Sequence, residues 1–422
     1  MEDGWFVASA SVAIDGKTYQ LKYKVSEGPI ATGSEPFLAA TLLPAMKVAQ
    51  PMQVSGVVSR KVFTATQTIQ EIFHKWFPEE FQKIPLHAVP GLLGEGGQGA
   101  GVGAFFSGGV DSFYTLLKHE DEITKIILIH GFNQYYSDAL RLKVTKHIRG
   151  VAKELGKPLI EVETNVRQLS DQYADYTDHY VGSMLASVGL LLAPQFRKIY
   201  IPATNSYEYL EPEGTHPLLD PLWSTENMTF EHDGCEAYRV EKIARIAQSD
   251  IALGSLRVCY KNGDDVYNCG RCEKCLRTMV GLQAVGALER CTTFNEKLDI
   301  QAVSSLKILH HGKIPYVEEN LRAVENNGKN PDLAEALRLC IKNYKHDQLS
   351  VHLNENLNEF LASTQGAKFV RGKKNMIFRS LWQIERNWLL REVFKEKLKE
   401  LDQKLLFGIC RKLHGMAKAN RQ

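Results

Sequence analysis

The chain has 422 residues, 44% of them apolar and 24% charged, with a formal net charge of +2. This is the make-up of an ordinary soluble protein with room for two or three domains. The longest apolar run, 181–196, is interrupted by Gly, Ser and Pro and is too short to span a bilayer. The acidic start Met1-Glu-Asp-Gly does not read as a signal peptide, and none is expected. A cytoplasmic protein is therefore expected, its eight cysteines serving as thiols or metal ligands rather than disulfides. The charge is uneven: from Gly366 onward 15 Lys/Arg stand against 5 Asp/Glu, which leaves +10 there and −8 before it.

In chain order, residues 1–90 are expected to form a small mixed α+β domain. Two alternating stretches, from Trp5 and from Tyr19, flank Asp15-Gly16, a hairpin signal. Helical stretches follow at 36–47 and 66–76, with a strand at 54–63 between them. Residues 91–103 hold seven glycines, and 91–101 is expected to be a flexible linker. From 102 to 295 strands (102–106, 125–130, 158–163, 198–202) alternate with helices (112–119, 138–155, 178–194). This order predicts an α/β fold with a doubly wound parallel sheet, whose ligands bind at the C-terminal ends of the strands. Residues 296–422 are expected to be a helical, basic region. Its charged face is either a solvated cap or a docking surface for nucleic acid or an acidic partner, the latter not favoured.

The stretch Phe106-Ser107-Gly108-Gly109-Val110-Asp111-Ser112 leaves the first of these strands and opens a helix. Glycines let backbone N–H groups approach an anion, and the first helical turn adds unpaired donors and partial positive charge. Ser107 and Ser112 add hydroxyls. Asp111 beside a polyphosphate would be a magnesium ligand or its support. The stretch lacks the Gly-Lys-Ser/Thr of a Walker A loop. The ends of later strands bring His130, Gly131, Thr204 and Asn205 to the same side. His130 is read either as a cleft residue or as a structural one. His179 and Ser183, beside Asp178, are further cleft candidates, with Asp178 also readable as a helix cap.

Cys259, Cys269, Cys272 and Cys275 have the spacing C-x9-C-x2-C-x2-C. Four thiolates at that spacing suit tetrahedral zinc with no open position, so the expected site is structural. An iron–sulfur centre is the rival, but the next cysteine of that pattern does not follow. Cys235, Cys291, Cys340 and Cys410 are isolated and read as core residues.

The six letters Ser107 to Ser112 match the pyrophosphate loop of proteins that resemble the PP-loop ATP pyrophosphatases. Taken with the cysteines, residues 102–290 resemble QueC, the 7-cyano-7-deazaguanine synthases. Arg239-Val-Glu241-Lys242-Ile243 corresponds to the family's Lys-x-Glu-Ile stretch, and Cys259 is followed by Tyr260. The run Cys269 to Arg277 is similar to Cys-Gly-x-Cys-x-x-Cys-x-x-Arg, with the arginine one position early. The terminal regions fall outside the resemblance. The substrate loop departs from the family's letters, and the longer chain is closer to QueC-like proteins of bacterial antiphage gene clusters.

The resemblance implies an ATP-dependent C–N ligase using ATP, Mg2+ and Zn2+. It would adenylate a carboxylate related to 7-carboxy-7-deazaguanine, release pyrophosphate, and join the acyl group to ammonia or to a partner protein. Asp111, Ser107, Ser112 and Arg239 would carry the chemistry, although Arg239 is also readable as a surface salt bridge with Glu236. Tyr207, His216, Asp220, Trp223 and Glu226 are candidates for substrate contact, or for a packed lid. A non-catalytic nucleotide-binding scaffold and a tRNA-modifying enzyme are the other readings, and a homodimer is compatible with each.

Overall fold

A computed structural model describes residues 2, 4–91, 99–132, 137–261, 265–308 and 311–362. The expected linker falls largely on 92–98 and the basic terminal stretch on 363–422, both outside the described residues, as is Asn133. The chain divides into two compact units, Met1–Leu337 and Arg338–Gln422. The break falls within the helix Pro331–Ala362.

The first unit is built on a seven-stranded sheet ordered β1-β2-β7-β6-β5-β8-β9. Its strands are β1 (Phe6–Ile14), β2 (Lys17–Val25), β5 (Gly101–Phe105), β6 (Lys125–His130), β7 (Leu159–Thr164), β8 (Phe196–Pro202) and β9 (Thr229–Asp233). A small parallel pair, β3 (Met52–Ser59) with β4 (Leu86–Gly91), stands apart from it. From β7 to β9 every neighbour is parallel. The chain builds outward from β5 to β6 and β7, then returns to the other side of β5 with β8 and β9. The reversal between β5 and β8 is the place where a doubly wound sheet opens a crevice.

Helices cover both faces. On one side lie α1 (Glu35–Lys47), α2 (Arg60–Trp76) and, later in the chain, Val181–Leu191. Leu38, Leu42, Val162 and Leu190 share one apolar core there. On the other lie α3 (Val110–Lys118), α4 (Asp138–Glu154) and Arg239–Ile246, around Val102, Phe113, Val144 and Ile243. In chain order Val181–Leu191 is α5, Arg239–Ile246 is α6, Glu273–Ala284 is α7 and Ile314–Asn327 is α8.

The N-terminal 90 residues are not a domain apart. The hairpin turns at Asp15 and Gly16, both at positive φ (49° and 70°), as the sequence predicts. Its second strand then pairs antiparallel with β7, Tyr23 opposite Thr164 and Val25 opposite Val162. The hairpin thereby widens the central sheet, and α1 completes the helical layer over it. The boundary expected at 296 also shifts, because α8 belongs to the first unit.

Candidate functional site

The stretch after β5 becomes a turn that enters α3. Gly108 has φ +75°, a conformation disfavoured for any residue with a Cβ. Gly109 is the N-cap, and its peptide N–H donates to Ser107 Oγ at 3.4 Å. The Ser107 N–H donates to Ser112 Oγ at 3.3 Å, and Ser112 Oγ donates to the Gly109 carbonyl at 3.1 Å. The serines thus brace the turn. Val110 is fully buried and anchors the helix beneath it.

Ser107, Gly109, Asp111 and Ser112 line one wall of a cavity of about 440 Å³. This is within the usual size range for a small-ligand pocket. His130, Gly131 and Phe132 at the end of β6, Thr204 after β8, and Tyr176 and Leu185 on the α5 side form other walls. The structure thus brings together the loop, His130, Gly131 and Thr204. Asn205 turns elsewhere: its Nδ2 donates to Glu213 Oε1 at 2.8 Å, and its Oδ1 accepts from the Tyr316 hydroxyl. His130 Nε2 is 3.0 Å from Glu161 Oε2, and Arg149 Nε donates to the other Glu161 oxygen at 2.7 Å. That tether fixes the imidazole while the ring still faces the cavity.

Asp111 is the electrostatic centre. Both of its oxygens accept from Arg239 Nη1 at 2.7 Å, and Lys242 Nζ lies 3.8 Å from Oδ1. Burial works against the carboxylate, but the charges of Arg239 and Lys242 outweigh it and hold the Asp111 pKa below its ordinary value. Arg239 is buried, and its Nε has no hydrogen-bond partner among the described residues. It is not a surface residue paired with Glu236, which instead accepts from Lys118 and from the Tyr114 hydroxyl. Lys242 is fully enclosed and donates to the Ala203 carbonyl at 2.8 Å. Burial pulls its pKa down, and the Asp111 carboxylate returns part of that loss. Glu241 caps the helix through the Tyr238 N–H at 2.7 Å and orients neither cation.

Lys274 also lines the cavity, a residue the sequence reading passed over. The only available signal was its place between Cys272 and Cys275, which read as metal spacing rather than as a site.

The five candidates for substrate contact do not line this cavity. Tyr207 is exposed on a surface turn. His216 is buried edge-on against Trp76, ring centroids 5.0 Å apart. Asp220 is fully buried and accepts from His232 Nδ1 at 2.7 Å and Thr215 Oγ1 at 2.8 Å. Trp223 lies in the apolar core. Glu226 accepts from Ser59 Oγ at 2.8 Å and the Lys61 N–H at 3.0 Å, so it caps α2. His179 is packed between Phe77 and Phe81, and Asp175 rather than Asp178 caps the following turn. Ser183 is buried and does not line the cavity.

The sulfurs of Cys259, Cys269, Cys272 and Cys275 all lie within 4.8 Å of one another. Two pairs, Cys269–Cys275 and Cys259–Cys272, are 3.9 Å apart. A tetrahedral zinc with Zn–S bonds of about 2.3 Å requires sulfurs about 3.8 Å apart, so the residues fit. Gly270, at φ +67°, makes the turn between the second and third ligands. Asn268 Oδ1 accepts the Val258 and Cys259 N–H groups at 2.9 and 3.1 Å and fixes the first. Two residues before Cys259, the Arg257 N–H donates to the Gly108 carbonyl at 2.7 Å. The cysteine cluster is therefore linked directly to the loop after β5. Cys235, Cys291 and Cys340 are buried thiols, while Cys410 lies outside the described residues.

Fold and site together define an α/β protein with a mostly parallel central sheet and a cluster of four cysteines able to hold a metal such as zinc. Among the described residues no helix is long and apolar enough to cross a membrane. No protein-family model, curated protein or solved structure matches the chain.

Proposed function

We propose that this protein is an ATP pyrophosphatase of the PP-loop type, similar to QueC, which adenylates a carboxylate and then forms a C–N bond. One observation carries the reading: the loop Ser107–Ser112 leaves β5 beside the sheet's reversal point and lines a cavity whose wall holds Asp111 and Lys274. Arg239 and Lys242 stand directly behind Asp111. The local excess of positive charge suits a polyphosphate, and the loop donors suit its oxygens.

ATP would lie with its phosphates along the loop and its adenine toward Phe132 and Leu185. A carboxylate oxygen of the second substrate attacks the α-phosphorus, and the bond to the β-phosphate oxygen breaks. Pyrophosphate leaves, its charge met by the loop N–H groups, Ser107 and Ser112, with Arg239 adding positive charge from behind Asp111. Arg239 has a free Nε–H and a planar fork that can exchange one anion for another. A nitrogen lone pair then attacks the acyl carbon, the bond to AMP breaks, and the nitrogen gives up a proton to solvent. The two Asp111 oxygens each accept one hydrogen bond and keep lone pairs, so Asp111 would hold magnesium, which supplies charge neutralisation when bound. Zinc on the four cysteines would serve the fold.

The test is pyrophosphate release in the presence of ATP, Mg2+ and a panel of carboxylates that includes 7-carboxy-7-deazaguanine. AMP and pyrophosphate that depend on one carboxylate support the reading. Asp111→Asn and Arg239→Ala are each expected to lower the rate at least about 100-fold. ADP and phosphate as the only products would reject it.

A further inference from the structure

The residues that carry the motifs end at Arg277, yet helix α8, which starts only at Ile314, reaches into the same machinery. Glu319 is 5% exposed. Its Oε2 accepts the Arg239 peptide N–H at 2.8 Å. One turn earlier, Tyr316 donates to Asn205, with the Arg277 guanidinium 4.2 Å from its ring centroid. Asn320 Nδ2 donates to the Arg277 carbonyl at 3.0 Å.

The first N–H groups of a helix have no partner inside it, and buried ones must find one elsewhere. For α6 that partner comes from a different helix and carries a charge. Burying a carboxylate is costly, and here burial raises the Glu319 pKa despite the peptide donor and Arg239 nearby. What the arrangement secures is the position of the α6 N-terminus. Arg239 is the first residue of α6, so the point from which its flexible side chain leaves is the point Glu319 holds.

We infer that Glu319 is a positioning residue for Arg239, acting through the α6 backbone to keep the guanidinium aligned on Asp111, the carboxylate that lines the cavity proposed for the nucleotide. This rests on the proposed use of the cavity for ATP. It makes α8 a working part of the site.

The test is a double-mutant cycle on Mg–ATP binding by calorimetry, with thermal unfolding measured on each variant. Glu319→Ala is expected to weaken ATP binding about tenfold. Glu319→Gln, whose amide oxygen still accepts the Arg239 peptide N–H, is expected to stay within about threefold of wild type. In an Arg239→Ala background, Glu319→Ala is expected to change binding by less than about twofold, because the residue it serves is gone. Glu319→Asp, shorter by one methylene, takes its place if Glu319→Ala does not fold, and should weaken binding in the same direction. Full, additive loss in the double variant overturns the inference. So does a Glu319→Gln protein as impaired as Glu319→Ala. The readout is binding, so absent pyrophosphate release counts against the proposed reaction alone. A wild-type protein with no ATP affinity overturns both.

Discussion

Asp220 and His232 are sealed together beneath the segment that follows β8, with Asp220 fully buried and the imidazole side chain 4% exposed. Burial alone would lower the His232 pKa. The hydrogen bond to Asp220, and then the contact with Cys235, outweigh it and lift the value to about 9 from an ordinary 6.5. A group whose pKa is raised on folding contributes its full stabilisation below the unfolded value and loses it as pH rises through the folded one. The pair should therefore stabilise the protein at pH 6 and have faded above pH 9, by on the order of 3 kcal/mol. His216, which burial and then His232 disfavour as a cation, and the Cys235 thiol face the same imidazole. Thermal unfolding from pH 6 to 9.5 checks this: wild type should lose stability steeply across the window, and Asp220→Asn should start lower and fall less. A variant with the wild-type slope would show that this pair does not set it. Gly131 makes a sharper steric case. At φ +96°, a Cβ there would lie 2.1 Å from the Thr164 carbonyl oxygen, a backbone atom that cannot swing aside. Gly131→Ala should cost more than about 2 kcal/mol in chemical denaturation and distort the cavity wall that this residue lines.

At the scale of elements, the cysteine cluster and the loop after β5 are joined by a short stretch of chain. Arg257 holds the Gly108 carbonyl, and Cys259 follows within the reach of Asn268. Removing the metal should therefore do more than loosen the cluster. Metal analysis of the purified protein is expected to find about one zinc per chain. A chelator, or Cys272→Ser, should lower the melting temperature and weaken the proposed ATP binding together. A chelated protein with unchanged melting and binding would separate the two elements. The cluster and the loop were legible in the sequence because spacing and short motifs are local. The alternating strands and helices were legible because burial imposes a period. The short strand β9 was not, since its five residues, Thr229–Asp233, are too few to show a clear alternation. Nor was the pairing of Asp111 with Arg239, 128 residues apart, because no local pattern says which buried cation meets which carboxylate. The candidates from Tyr207 to Glu226 show the same limit. Residue type marks Asp220 or Glu226 as able to bind a ligand, but only packing shows that one holds His232 and the other caps α2.

For the first unit as a whole, the question is whether the α/β core can exist without its first 90 residues. Tyr23, Val25, Leu38, Leu42, Leu43 and Met46 are each 0% exposed and lie in the apolar core shared with Val162 and Leu190. At about 2 kcal/mol for each buried side chain, these six alone contribute roughly 12 kcal/mol of transfer free energy. Net stabilities of whole domains are about 5–15 kcal/mol, so the loss cannot be absorbed. Deletion would also bare the edge of β7, now paired with β2, and the face of α5 beneath α1, leaving an open strand beside an apolar patch. A chain beginning at residue 91 should therefore aggregate when expressed, even though it retains the loop, the cavity residues and all four metal-ligand candidates. Its soluble yield and its melting curve, set against those of the full chain, decide the matter. A shortened protein that melts cooperatively and still binds ATP would make the N-terminal segment a removable attachment. An insoluble one would mean that the hairpin and α1 are as much a part of the α/β fold as the strands that carry the candidate site.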